Sequence, residues 1–154
     1  MTGNAIVLSI RPKYAEKIFK GIKTVELRRV RPKYITKGTL ALVYVSSPVR
    51  ALVGAFKIDQ VIVEPLGDLW KTVRGKACIS PAEFDVYFHG ASSGVGIFFS
   101  ELWLLPKPIK LQALKEIMGF QPPQSFRYAK AGELVFPEFA ELTGDTRTVA
   151  QLGF

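Results

Sequence analysis

Cysteine and histidine are nearly absent from this sequence, which contains one of each, Cys78 and His89. A single cysteine cannot form an internal disulfide, and the two residues together cannot supply the four ligands of a zinc finger. A catalytic or metal-binding cluster of histidines is excluded for the same reason. P-loop, Rossmann and metal-ligand motifs are also missing, so the sequence predicts neither a metal nor a cofactor. A lone cysteine is typical of reducing compartments, and we expect a cytoplasmic protein.

Long hydrophobic runs are missing as well. The first apolar stretch, Ala5 to Leu8, is too short for a signal-peptide core or a membrane span, so we expect no membrane partner. The chain has 154 residues, of which 48% are hydrophobic and 22% are charged. This composition is typical of a globular protein, and the length predicts a single domain over residues 1–154.

Acidic residues are scarce in the first 40 positions, where only Glu16 and Glu26 face ten lysines and arginines. The excess of +8 in this quarter equals the net charge of the whole chain, because residues 41–154 carry 11 basic and 11 acidic residues. Such one-sided charge is typical of proteins that bind polyanions, and we predict an RNA or nucleotide-like partner. A basic surface that only maintains solubility, or that meets an acidic protein partner, is the alternative. The candidates for phosphate contact are Lys13, Lys17, Lys20, Arg29, Arg31 and Lys33.

The apolar spacing predicts strands and short helices without regular alternation. We predict strands over 5–10, 23–30, 39–46, 51–63 and 95–105, with a bend at Gly54 and a stop at Pro106 and Pro108. Helices are predicted over 13–20, 68–74 and 111–118, and after the capping box that begins at Ser80. This order favours an α+β fold with a mixed, barrel-like sheet.

The most informative short segment runs from Gly21 to Arg28. Gly21 permits a helix to stop, and Lys23 then enters a strand on which Glu26 and Arg28, two residues apart, share a face. Lysine and arginine can hold phosphate, and a carboxylate between them can accept hydrogen bonds from a base or ribose. We therefore predict a ligand site at Lys23, Glu26 and Arg28. The alternative is an ion pair between Glu26 and Arg28 that only fixes the strand.

This segment also resembles a known family. Ile10 to Ile18, followed by the pattern G-x-K-x-x-E-x-R of residues 21–28, is similar to the ASCH domain family of the PUA-like superfamily. Tyr87-Phe88-x-Gly90, the strand from Val95 and the segment Pro-Pro-Gln-Ser-Phe-Arg of residues 122–127 resemble the same family. The resemblance covers a core of about 5–130 and leaves 131–154 as a C-terminal extension.

The resemblance implies a PUA-like, partly closed mixed β-barrel with short flanking helices and a basic cleft. It implies that Lys23, Glu26 and Arg28 line that cleft, that RNA or a nucleotide binds there, and that the protein acts in translation or transcription regulation. The resemblance also implies that some members are enzymes, of which some hydrolyse RNA and others hydrolyse acylated nucleosides. The enzymes that act on acylated nucleosides are expected to have a threonine nucleophile where this chain has Glu26, which disfavours that reaction here. A hydrolase of RNA or a modified nucleoside that uses Lys23 and Glu26 remains the alternative.

A second candidate binding segment follows residue 124. Ser125, Phe126, Arg127 and Tyr128 combine aromatic rings with a cation, a set suited to stacking on bases. Alternatively, this loop only wraps around the barrel and packs Phe126 against it. At the end of the strand over 39–46, Tyr44, Ser46 and Ser47 are weaker candidates for the mouth of the cleft.

Overall fold

The computed structural model describes residues 5–130 and residue 133, and this part of the chain folds into strands and short helices. The strands are β1 (Ile6–Ile10), β2 (Val25–Arg28), β3 (Leu40–Val45), β4 (Ala51–Pro65), β5 (Ser93–Lys110) and β6 (Phe126–Tyr128). The helices are α1 (Pro12–Phe19), α2 (Leu66–Val73), α3 (Pro81–Tyr87) and α4 (Leu111–Met118). The predicted extension over 131–154 lies outside the described residues, apart from Glu133.

One mixed sheet connects all six strands in the order β2-β5-β4-β3-β1-β6. β1 and β3 pair in parallel, and the other neighbouring strands pair antiparallel. The sheet curls into a half-barrel with the short helices around it, so the predicted partly closed barrel is confirmed. β2 and β6 form its two edges, and the open side lies between them.

Local sequence signals explain where the first and third helices begin and end. Pro12 occupies the first turn of α1, and Gly21, with a φ of +77°, follows its end in a conformation that favours glycine. The capping box predicted at Ser80 is present, because the Ser80 side chain and Glu83 each accept a hydrogen bond from the other's backbone N–H. α3 therefore starts where the capping box predicts, and α1 starts one residue before the predicted range 13–20.

The course of β5 differs from the prediction. Pro106 and Pro108 do not end this strand, which continues to Lys110 and pairs with β4 again at Leu52 and Ala51. In the pairing of β4 with β5, the pair Gly54–Leu104 is followed by the pair Leu52–Ile109. Both prolines therefore lie in a bulge, where the backbone does not need to donate a hydrogen bond to the neighbouring strand. The expected bend at Gly54 is confirmed by the register shift on its own strand.

Apolar side chains cover both faces of the sheet. Ile18 and Phe19 of α1 pack on one face with the inward side chains of β1, β3 and β4. Leu114 of α4 packs on the other face with Trp103 and Phe120. A third cluster joins β2 to α2 and α3, so these two helices stand beside the open edge of the half-barrel. None of the helices in the described ranges is long and apolar enough to cross a membrane.

Candidate functional site

A pocket of about 690 Å³ lies at the open side of the half-barrel. It is enclosed by the ends of β1 and β2, the start of α1, the loop before α3, α3 itself and the segment that leads into β6. Five predicted site residues line it: Lys13, Lys23, Glu26, Arg28 and Ser125. The fold therefore brings together two segments, residues 13–28 and residue 125, that lie almost one hundred positions apart in the sequence.

Three charged side chains form the buried part of this pocket. Lys23, Glu26 and Arg28 are only 3%, 7% and 6% exposed. Lys23 Nζ lies 3.4 Å from Glu26 Oε1, and Arg28 Nη2 donates to Glu26 Oε2 at 2.8 Å. We call these residues the buried triad. Two cations and one anion leave it with a net charge of +1, which suits an anionic ligand.

Arg28 joins the two edges of the sheet. Its Nη1 donates to the carbonyl and hydroxyl oxygens of Ser125, both at 3.0 Å, and its Nη2 donates to the Ser9 carbonyl at 2.9 Å as well as to Glu26. The four Nη hydrogens therefore all point to protein oxygens, and the buried Nε has no partner among the described residues. Arg28 thus supplies positive charge and fixes Ser125, whereas the predicted direct fork to a phosphate would require these bonds to break.

Lys23 lines the buried part of the pocket. Its ammonium donates to the Ala77 carbonyl at 2.8 Å and lies 5.2 Å from the centre of the Tyr14 ring. Burial lowers the pKa of Lys23, and the nearby Glu26 carboxylate counteracts part of that shift. An anion beside Lys23 would stabilise the charged ammonium further.

The mouth of the pocket is bridged by an exposed ion pair. Lys13 on α1 and Glu83 on α3 meet at 3.0 Å, and both residues line the pocket. Hydrogen bonds from the backbone of Ser80 and from Lys13 lower the pKa of Glu83 to about 2. The Glu83 hydrogen bond also raises the pKa of Lys13. Glu83 thus neutralises one of the predicted phosphate contacts.

One wall of the pocket is apolar and comes from α3 and the loop before it. Ile79, Ala82, Val86 and Tyr87 form this wall, and Val86 is 77% exposed. Tyr87 is 39% exposed, while the neighbouring Phe88 is buried. The same helical segment thus presents Tyr87 to the pocket and Phe88 to the core.

The remaining predicted contacts lie elsewhere. Among the described residues that line the pocket, we do not find Lys17, Lys20, Arg29, Arg31, Lys33 or Arg127. Lys20 pairs with Glu16 at 2.6 Å, and Arg29 donates to backbone carbonyls at the end of α3. Arg127 forms a bidentate salt bridge with Glu133, and its guanidinium lies over the Phe120 ring.

Of the weaker candidates at the end of β3, one lines the pocket and another does not. Ser46 lines the pocket, whereas Tyr44 is buried on the opposite face of the sheet against Phe120. Phe126 packs against the barrel, as the alternative reading of its segment expected. Sequence reasoning missed Ser9, Arg11 and Gln124, which also line the pocket. Arg11 and Gln124 lie in the segments that resemble the family, and Ser9 lies in the predicted strand 5–10, but only the folded structure shows that their side of each segment faces the pocket.

A family model and a protein relative match this chain over most of its length. The model of the ASCH domain matches residues 8–117. An ASCH domain-containing ribonuclease of Zymomonas mobilis subsp. mobilis is 30% identical over 128 residues, which cover 82% of this chain and 85% of that protein.

Solved structures share the fold. The crystal structure of ASCH from Zymomonas mobilis has a TM-score of 0.79 at 27% identity and covers 96% of this chain and 99% of its own. The human THYN1 protein in complex with DNA that contains 5-methylcytosine has a TM-score of 0.54 at 15% identity, and covers 90% of this chain and 97% of its own. These likenesses confirm the predicted α+β, PUA-like fold class.

Proposed function

The chain belongs to the ASCH domain family, and we propose that it binds RNA by seating one nucleotide in the pocket beside the buried triad. The observation that carries this proposal is the division of the pocket into two walls. Cations and hydroxyl groups occupy one wall, and apolar side chains of α3 occupy the other. A nucleotide has the same division, because its phosphate is anionic and its base presents a flat apolar face.

Each wall has a definite task in this proposal. Lys23 and Lys13 contact the phosphate, while the hydroxyl of Ser125, which accepts from Arg28, has its own hydrogen left to donate to the ligand. The base lies against Val86 and Tyr87. The volume of about 690 Å³ is within the range of small-molecule sites, roughly 300–1,000 Å³, and is sufficient for one nucleotide.

The ribonuclease name of a relative that is 30% identical supports RNA over other polyanions. The excess of basic residues in the first 40 positions independently supports a polyanionic ligand, since cations around a pocket attract a polyanionic chain. The predicted roles in translation or transcription regulation add a cellular context to the same activity and stay predictions.

The test is a titration of labelled single-stranded and hairpin RNA, followed by fluorescence anisotropy at several salt concentrations. We expect affinity to fall as salt rises, because phosphate contacts release counterions. Lys23→Met should abolish most of the binding, whereas Lys37→Met, which removes an exposed charge outside the pocket, should reduce it only slightly. The proposal would be refuted if no RNA binds at low salt, or if the affinity changes neither with salt concentration nor on Lys23→Met.

A second candidate is cleavage of RNA in the same pocket. It is favoured by the ribonuclease name of the relative and by Lys23, whose pKa is lowered by burial and whose ammonium can donate a proton or stabilise developing negative charge in the pocket. Glu26 is less suited to proton transfer than the sequence predicted, since both its oxygens contact cations of the buried triad. Incubation of RNA with the protein, with and without a chelator, followed by a denaturing gel, tests this candidate; RNA that stays intact in both arms, under conditions where it binds, would exclude it.

A further inference from the structure

The surface beside the pocket has an unusual charge pattern. Between Leu27 and Ile58 the sequence contains no acidic residue and seven basic ones. Some of these cations are engaged: Arg28 belongs to the buried triad, and Lys37 lies 3.7 Å from Asp59. Arg31 and Lys33 are exposed on the loop between β2 and β3, next to one prominent aromatic side chain.

That side chain is Tyr34, which is 58% exposed. Its ring centre lies 5.6 Å from that of Tyr128 on β6, and Lys33 Nζ lies 5.6 Å from the Tyr34 ring centre. The three residues form a group of two rings and one ammonium in which Tyr34 and Lys33 are exposed and Tyr128 is partly buried against the core. We call the two rings the tyrosine pair. Such a group is suited to base stacking, because a base can lie on a ring while the cation attracts the adjoining phosphate.

The backbone holds Tyr34 in this exposed position. Its N–H donates to the phenol oxygen of Tyr128 at 2.8 Å, and the next residue, Ile35, is only 1% exposed. Thr36 N–H donates to Thr39 Oγ1 at 3.0 Å and fixes the far end of the loop. The ring therefore projects outward from an anchored backbone, and a base that stacks on it would not have to order the loop first.

The tyrosine pair continues directly from the pocket. The segments 28–34 and 125–128 are joined by hydrogen bonds at both of their ends. The Arg28 side chain donates to Ser125 at the pocket, and the Tyr34 backbone N–H donates to the Tyr128 hydroxyl farther along. β6 is extended, so the three steps from Ser125 to Tyr128 span roughly 10 Å. This separation is short enough for consecutive nucleotides of one strand to occupy both places.

We infer that Lys33, Tyr34 and Tyr128 form a second subsite, which stacks a base of single-stranded RNA adjoining the nucleotide in the pocket. The inference rests on the proposed function and deepens it, since it makes the ligand an oligonucleotide instead of a free nucleotide. It also makes a base-paired helix a poor ligand, because paired bases are not free to stack on a side chain.

The experiment compares a mononucleotide with oligouridylates of two to six residues, using isothermal titration calorimetry. Wild type should bind the oligonucleotides more tightly than the mononucleotide. Tyr34→Ala should leave mononucleotide binding unchanged and weaken oligonucleotide binding by about 5- to 150-fold, the usual loss when one stacking ring is removed. Tyr34→Phe should restore the affinity because it keeps the ring. Lys33→Ala should also weaken oligonucleotide binding, whereas the matched control Lys37→Ala in the same loop should not.

A fluorescent base gives a direct readout of stacking. 2-Aminopurine next to the pocket nucleotide should be quenched on wild type and on Tyr34→Phe, and should stay bright on Tyr34→Ala. If the protein binds RNA but Tyr34→Ala changes neither affinity nor quenching, the subsite is wrong while the proposed function stands. If wild type binds no RNA, both fail. If an acidic peptide binds instead and Tyr34→Ala abolishes it, the surface serves a protein partner and the inference is overturned.

Discussion

Nη1 of Arg28 donates hydrogen bonds to both the carbonyl and the hydroxyl oxygen of Ser125, so a single side chain ties the end of β2 to the segment that precedes β6. The same side chain neutralises Glu26 in the interior. A residue of this kind serves folding and ligand binding together, because its charge lies in the pocket and its hydrogen bonds hold the pocket's walls.

Arg28→Ala should therefore destabilise the protein strongly. The substitution leaves the buried Glu26 with Lys23 alone, and removal of one partner from a buried ion pair lowers the free energy of unfolding by about 3–5 kcal/mol. Urea denaturation provides the measurement. Arg31→Ala is the matched control, since Arg31 is exposed, and it should change stability by no more than about 0.5 kcal/mol. Equal effects of the two variants would contradict the structural role of Arg28.

Glu83→Gln should tighten RNA binding. It releases Lys13 from its exposed partner at the mouth of the pocket, and glutamine can keep the capping box at the start of α3. We expect a gain of about two- to fivefold in affinity, the range of a surface ion pair. Glu16→Gln removes the same charge from the Lys20 pair outside the pocket and should gain less. Anisotropy titrations with one RNA at one salt concentration compare the variants.

Acid unfolding should reveal how much the Glu83 carboxylate contributes to stability. The pKa of Glu83 in the fold is about 2, below its ordinary value of 4.5, so the unfolded chain binds the proton more readily than the folded one. The stability that Glu83 contributes is thus complete above pH 4.5 and is lost as the pH falls towards 2. Wild type should be more stable than Glu83→Gln at pH 7, and the difference should shrink over this window. A constant difference between pH 6 and pH 2.5 would contradict the assignment.

Gly54→Ala should destabilise the bulge between β4 and β5. A Cβ at this position would lie 2.1 Å from the Trp103 carbonyl oxygen and 3.0 Å from the Phe19 ring, so the backbone would have to shift. Gly67→Ala in α2 is the control, because its Cβ would meet open space, and alanine is favoured over glycine in helices by about 0.5–1 kcal/mol. Thermal melting should show a lower midpoint for Gly54→Ala and an equal or higher one for Gly67→Ala.

Signals that are local in the sequence predicted most of the fold. The capping box at Ser80, the glycine after α1 and the apolar alternation of β2 depend on residues a few positions apart, and all three features are present. The continuation of β5 past Pro106 depends on what β4 does opposite it, which no local pattern records. The pairing of β6 with β1 was missed for the same reason, because the sequence predicts only a loop there.

The candidate site divides in a similar way. Lys23, Glu26 and Arg28 could be found because they lie in one short motif and share one strand face. The wall from α3 and the bond from Arg28 to Ser125 could not, because they join segments that are brought together only by the curl of the sheet. Not all of the basic residues predicted to contact phosphate are available to a ligand. The sequence gives their number, but in the structure Lys20, Arg29 and Arg127 donate hydrogen bonds to protein oxygens.

The pairing of Ile6 with Tyr128 has a consequence for synthesis of the protein. Of the six described strands β1 is translated first, yet one of its two neighbours is translated about 120 residues later, a delay of roughly 6–24 s at 5–20 residues per second. Throughout that interval the Arg28 guanidinium lacks Ser125, its partner across the opening. A nascent chain can thus assemble the central strands early, whereas a competent pocket exists only once translation has passed residue 128.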